Sequence, residues 1–199
     1  KAWRSAAKLS TPSAIALAMT VHAGRTGAQI RCYAGSRVGE KSAMITGHHY
    51  QNAYICDDIQ AAIAAFATRA DIGEVRPFDV EQQLWTPDGM KRVATKLAFI
   101  WIGDMQYELI QVVADETGLY SNYQNNGGLL HFHHICMRVP EWSPFRAAVA
   151  QQNLPVVLER ANEGDSLKFL YLDGREFCGH YLEYAWMTDE MALRLGAPS

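Results

Sequence analysis

From residue 48 onward, short apolar runs alternate with stretches of helical spacing. Residues 51–59, QNAYICDDI, are a run of strand formers ending in acids. Just beyond, Ile59, Ile63 and Phe66 recur at i, i+4 and i+7. That order predicts a strand and then an amphipathic helix capped by Asp57 or Asp58. The same order returns at 134–142, HICMRVPEW, followed by Trp142, Phe145 and Val149 along one helical side. Here Ser143 is the expected cap and Pro144 the first helical residue. Further on, LAFIWIGDMQYELIQVV (97–113) reads as strand, Gly103-Asp104 turn, strand. LKFLYLDGREFCGHYLEYAWM (167–187) reads as strand, a turn region at Asp173-Gly174, strand.

The pattern therefore repeats. It predicts an α+β protein of two tandem βαβββ modules, over 48–114 and 131–190, in which antiparallel strands follow each helix. A polar linker over 115–130 joins them, and 191–199 is expected as a C-terminal tail. Residues 1–47 are expected as a basic extension outside the fold, disordered or targeting. Lys1, Arg4 and Lys8 ahead of Ala14–Val21 suit a secretory signal, and the acid-poor composition suits an organellar one. Sequence lying upstream of a start at Met44 is a third reading.

Charge sharpens this division. Residues 1–43 hold seven Lys/Arg against Glu40 alone, whereas the remainder holds eleven bases against twenty acids. The acidic body offers nothing to a phosphate backbone, and no apolar run is long enough to span a bilayer, so neither nucleic acid nor membrane is an expected partner. Cys32, Cys56, Cys136 and Cys178 form no CxxC pair and are expected as reduced thiols, which points to a cytoplasmic protein.

Two carboxylates stand out. Glu108 in QYELIQ and Glu183 in HYLEYAW occupy matching places in the last strand of each module, amid apolar and aromatic residues. By strand alternation Glu108 shares a face with Gln106 and Ile110, and Glu183 with Tyr181 and Ala185. A carboxylate on a buried face needs a compensating charge or metal. Histidines cluster at the module openings, HHYQ (48–51) and HFHH (131–134), where Gln51 and His134 are equivalent, each seven residues before the acid that starts the helix. Imidazole, amide oxygen and carboxylates together suit Zn, Ni, Co, Mn, Mg or Fe.

The doubled pattern, HHICMRVPEW before a helix and then GHYLEY, resembles the vicinal oxygen chelate superfamily, which includes glyoxalase I, methylmalonyl-CoA epimerase, extradiol dioxygenases and bleomycin-resistance proteins. The resemblance covers 48–188. It implies a curved mixed sheet around a central site, where each module supplies one metal ligand from its first strand and one from its last. Carried over, these are Gln51, Glu108, His134 and Glu183, with His49 as an alternative, around one divalent ion. The set is most similar to that of the eukaryotic type of glyoxalase I. Gln51 stands where a dioxygenase has its first histidine.

The implied activity is that of a metal-dependent lyase or isomerase of the glyoxalase/epimerase type, which removes a proton beside a chelated carbonyl. Glu183 is the first candidate for the base and Glu108 the second. Tyr54, Trp101, Phe132, Tyr181 and Trp186 are candidate pocket walls, which favours a hydrophobic or aromatic small-molecule substrate. A homodimer is implied by the family. Two other classes stay open: a metal-free binding protein on the same fold, and an extradiol-type dioxygenase.

Overall fold

A computed structural model of the chain describes residues 46–121, 123 and 127–196. The expected basic extension falls outside the described residues up to position 45, and Cys32 with it. The first βαβββ run comprises β1 (His48–Ile55), α1 (Ile59–Ala67), β2 (Phe78–Thr86), β3 (Gly89–Ile102) and β4 (Met105–Asp115). A second comprises β5 (His131–Arg138), α2 (Trp142–Val149), β6 (Val156–Arg160), β7 (Leu167–Leu172), the short α3 (Arg175–Cys178) and β8 (Tyr181–Met187). The last element is α4 (Asp189–Arg194).

Local chemistry accounts for the helix ends. Asp58 caps α1, its carboxylate accepting from the Gln60 and Ala61 amides. Helix α2 starts two residues earlier than expected, with Glu141 at the N-cap and no side-chain cap bond. Pro144 is consequently the third helical residue, still within the first turn whose N–H groups have no intrahelical partner, so its missing donor costs nothing. Gly103 takes φ +60° in the β3–β4 hairpin, a conformation with little penalty only for glycine. The turn expected at Asp173-Gly174 extends into α3.

The strands close into a barrel in the order β1-β4-β3-β2-β6-β7-β8-β5. Within each run the first and last strands pair in parallel, β1 with β4 and β5 with β8. The two runs join through antiparallel β1–β5 and β2–β6 pairs. Two layers of core follow from strand alternation. Outside the barrel, α1 covers Ala98, Ile100 and Leu109, and α2 covers Leu170, Leu172 and Tyr184. Inside lie Ala53, Ile55, Leu84, Ile110, Cys136, Leu158 and the aromatic rings of Phe169, Tyr171 and Tyr181.

The β1–β5 seam departs from regular pairing twice. His49 pairs with Met137 but Gln51 with Cys136, leaving Tyr50 as an extra residue. Ala53 pairs with His134 but Tyr54 with Phe132, leaving His133 as an extra residue. Each bulge changes which neighbours share a face. Tyr50 and Gln51 both line the barrel cavity, and His133 and His134 are both buried beside Tyr171.

Among the described residues of the expected linker, Asp115 organises a compact turn. One carboxylate oxygen accepts from the Thr117 amide and hydroxyl and the Gly118 amide, the other from the Tyr120 and Ser121 amides and the Ser121 hydroxyl. The turn delivers Tyr120 into the core, where its hydroxyl donates to that of Tyr171 at 3.1 Å. The expected C-terminal tail, over its described part, belongs to α4 and its cap. The Leu195 carbonyl accepts from Trp101 Nε1 and Gln106 Nε2, both at 3.1 Å. Among the described residues, no helix is long and apolar enough to cross a membrane.

Candidate metal centre

The parallel β1–β4 and β5–β8 pairs set the depth of the four expected ligands. Ala53 lies level with Glu108, and Cys136 level with Glu183. His134 stands across from Ala53 on the neighbouring strand. Ligand atoms of Glu108, His134 and Glu183 consequently gather within 4.8 Å of one another, with all three residues buried. His134 Nε2 lies 2.8 Å from Glu183 Oε2 and 3.5 Å from Glu108 Oε2.

Electrostatics make this cluster a demanding one. The His134 side chain is fully buried, and Nε2 has no aligned hydrogen bond despite the short approach to Glu183. Burial pushes the imidazole pKa down, but the two carboxylates outweigh it and hold it at about 9. Burial also raises the Glu108 carboxyl, an effect opposed by His134 and reinforced by Glu183. Two acids around one imidazole in a closed interior need positive charge between them, which a protonated His134 supplies or a metal that displaces its proton would supply. The donor set of two carboxylates and an imidazole fits a divalent first-row metal or Mg²⁺.

Gln51, the fourth expected ligand, is buried and lines the same cavity as the two glutamates. Its Nε2 donates to Gln106 Oε1 at 2.7 Å, and Gln106 Nε2 donates in turn to the Leu195 carbonyl. This chain, anchored by the cap of α4, leaves the Gln51 Oε1 oxygen as the atom available to a cation. His49, the alternative, is exposed, and its Nε2 contacts Asn52 Oδ1 at 3.0 Å. The bulge at Tyr50 breaks the alternation that would have put His49 on the face of Gln51.

The cavity encloses about 260 Å³. Phe78, Phe99, Phe169, Met187 and Met191 supply apolar wall, and among the described residues Arg160 is its one cationic side chain. Of the expected pocket walls, Tyr181 faces the interior, packed on Tyr171 and His133. Trp101 stacks on the cavity-lining Tyr50 at the α4 end. Tyr54, Phe132 and Trp186 lie elsewhere. Tyr54 packs with the outer α1 cluster, and Phe132, 43% exposed, touches Tyr54 and His180. Trp186 packs against the α2 cluster and lines a separate outer groove. Alternation from His134 would have kept Phe132 inside, and the bulge at His133 turns it out.

Residues without a sequence signal complete the interior. Cys136 lies 3.6 Å from the Tyr50 hydroxyl, and burial followed by the charge of Glu183 raises its thiol well above the usual range. His133 Nδ1 and His134 Nδ1 are 2.8 Å apart, and His133 Nε2 is 3.0 Å from the Leu119 carbonyl.

Known proteins share this arrangement of strands. Residues 50–171 match the Glyoxalase/Bleomycin resistance protein/Dioxygenase superfamily, so the chain belongs to that family. Among solved structures, a hypothetical protein from Bacillus halodurans C-125 superposes with a TM-score of 0.51 at 13% identity, over 72% of this chain and 96% of its own. Methylmalonyl-CoA epimerase from Mycobacterium tuberculosis superposes with a TM-score of 0.50 at 14% identity, over 79% of this chain and 98% of its own. At such identities these likenesses concern the fold. No curated protein matches the chain.

Proposed function

We propose that the chain is a metal-dependent isomerase, epimerase or lyase that removes a proton from a carbon beside a carbonyl. The observation that carries this reading is the buried Glu108–His134–Glu183 cluster, whose ligand atoms converge within 4.8 Å of one another. Those three residues, with the Gln51 oxygen, would hold a divalent ion. When bound, the ion supplies Lewis-acid polarisation of a substrate carbonyl.

The chain's own residues supply the proton chemistry. Glu183 takes the proton from the acidic carbon. Glu108, whose carboxyl is raised by burial and so can carry a proton, also approaches His134 Nε2. It delivers its own proton to the carbanion, while the proton on Glu183 is given up before the next turnover. Return to the opposite face of the same carbon is epimerisation, and return to the neighbouring carbon is isomerisation. Cys136 stays a neutral thiol in this environment and takes no part as a nucleophile. The apolar wall and 260 Å³ volume favour a small acyl or aromatic group as the part of the substrate that enters.

The test is exchange. Protein charged with Zn²⁺, Co²⁺ or Mn²⁺ is incubated in D₂O with methylmalonyl-CoA and a panel of small 2-hydroxy ketones. Deuterium should enter the carbon beside the carbonyl of at least one compound, and Glu183→Gln should abolish that entry. Metal bound without exchange across the panel would turn the reading toward a binding protein.

A further inference from the structure

We propose that His133 is a positioning residue that fixes which nitrogen of His134 faces the two glutamates, an inference resting on His134 as a metal ligand. A carbonyl can only accept, so the 3.0 Å contact between His133 Nε2 and the Leu119 oxygen places a proton on Nε2. A neutral imidazole carries one N–H, so His133 Nδ1 presents a lone pair. That lone pair lies 2.8 Å from His134 Nδ1, a distance that requires a proton between the rings. It sits on His134 Nδ1, which donates. His134 Nε2, the atom aimed at Glu108 and Glu183, is thereby the nitrogen that can take a metal in exchange for its proton.

The surroundings hold this relay in place. The bulge in β5 puts consecutive residues inside the barrel, which regular alternation forbids. The His133 ring stacks on Tyr120, with centroids 5.0 Å apart and planes 16° from parallel, and packs on Tyr171 and Tyr181. Leu119 and Tyr120 owe their places to the Asp115 turn, so a surface loop sets the tautomer of a buried ligand. Outer partners of this kind typically contribute about 10–100-fold to metal affinity.

Two substitutions and one spectrum test the proposal. His133→Asn keeps an acceptor at the Nδ1 position, and His133→Phe keeps a ring against Tyr120 without one. Titrated with Zn²⁺, His133→Phe should lose about 10–100-fold in affinity while His133→Asn stays within a few-fold of the parent. In the unsubstituted ¹⁵N-labelled protein, an N–H···N bond should give a scalar coupling between the two Nδ1 nuclei, with the proton on His134. The spectrum is read with and without Zn²⁺, so the relay is tested even if no metal binds, an outcome that would instead defeat the proposed function. Equal affinity loss in both variants, parent-like affinity in His133→Phe, or absence of the coupling would each overturn the proposal.

Discussion

At the scale of single residues, the cluster asks different things of its members. His134 contributes the imidazole nitrogen that lies between the two glutamates, whereas Glu183 contributes both a ligand oxygen and basicity. His134→Ala should therefore cost Zn²⁺ affinity beyond the ~100-fold typical of losing an outer partner. Glu183→Gln keeps size and an oxygen donor, so affinity should fall modestly while proton exchange collapses. Calorimetric Zn²⁺ titration alongside deuterium uptake separates the two. Equal metal loss in both variants would make Glu183 a ligand only and move the base to Glu108. Much of this was legible in the chain, since Glu108 and Glu183 are conspicuous acids in apolar strands at matching places. His133 was not, because a doubled histidine at a strand start reads as one ring in and one ring out.

At the scale of elements, the Asp115 turn carries more than its polar sequence suggests. One carboxylate accepts six hydrogen bonds, and although burial alone would raise it, the Thr117 and Ser121 donors hold its pKa below the usual range. Asp115→Asn should destabilise the fold by about 1–3 kcal/mol at pH 7, toward the lower end because the site is partly wet. The sign with pH follows from the direction of the shift. A carboxyl depressed in the folded state stabilises fully above its unfolded pKa of about 3.9, and that contribution fades as pH falls through the lower folded value. Urea unfolding of both proteins should show a constant gap at neutral pH that narrows below about pH 4. A gap that widens in acid would show that Asp115 is not held as the anion. Helix α4 is a parallel case. An expected tail turns out to anchor Gln106, and through it Gln51, by one carbonyl.

At the scale of the whole molecule, the barrel encloses two carboxylates and an imidazole that could hold a divalent cation. A metal that binds only the folded chain stabilises it by mass action, about 2.7 kcal/mol when free ion is 100 times Kd. For a body of this size that is a rise in melting temperature of about 5–10 °C. Differential scanning fluorimetry with Zn²⁺ or Mn²⁺ should show the rise, a chelator should reverse it, and His134→Ala should lack it. An unchanged melting temperature at saturating metal would count against the site.

The chain alone determined the elements, because hydrophobic period is a local property: Ile59, Ile63 and Phe66 fall on one face of a helix, and alternation groups Glu108 with Gln106 and Ile110, and Glu183 with Tyr181 and Ala185. Resemblance then brought Gln51 and His134 into the same set. Tertiary structure decided everything that depends on register across the β1–β5 seam. Two extra residues there, Tyr50 and His133, are visible only when the strands pair, and each reverses the parity of its neighbours. That reversal exposes Phe132, excludes His49, and brings His133 inside against His134. A bulge is a mismatch between two strands, so neither strand's sequence can reveal it alone.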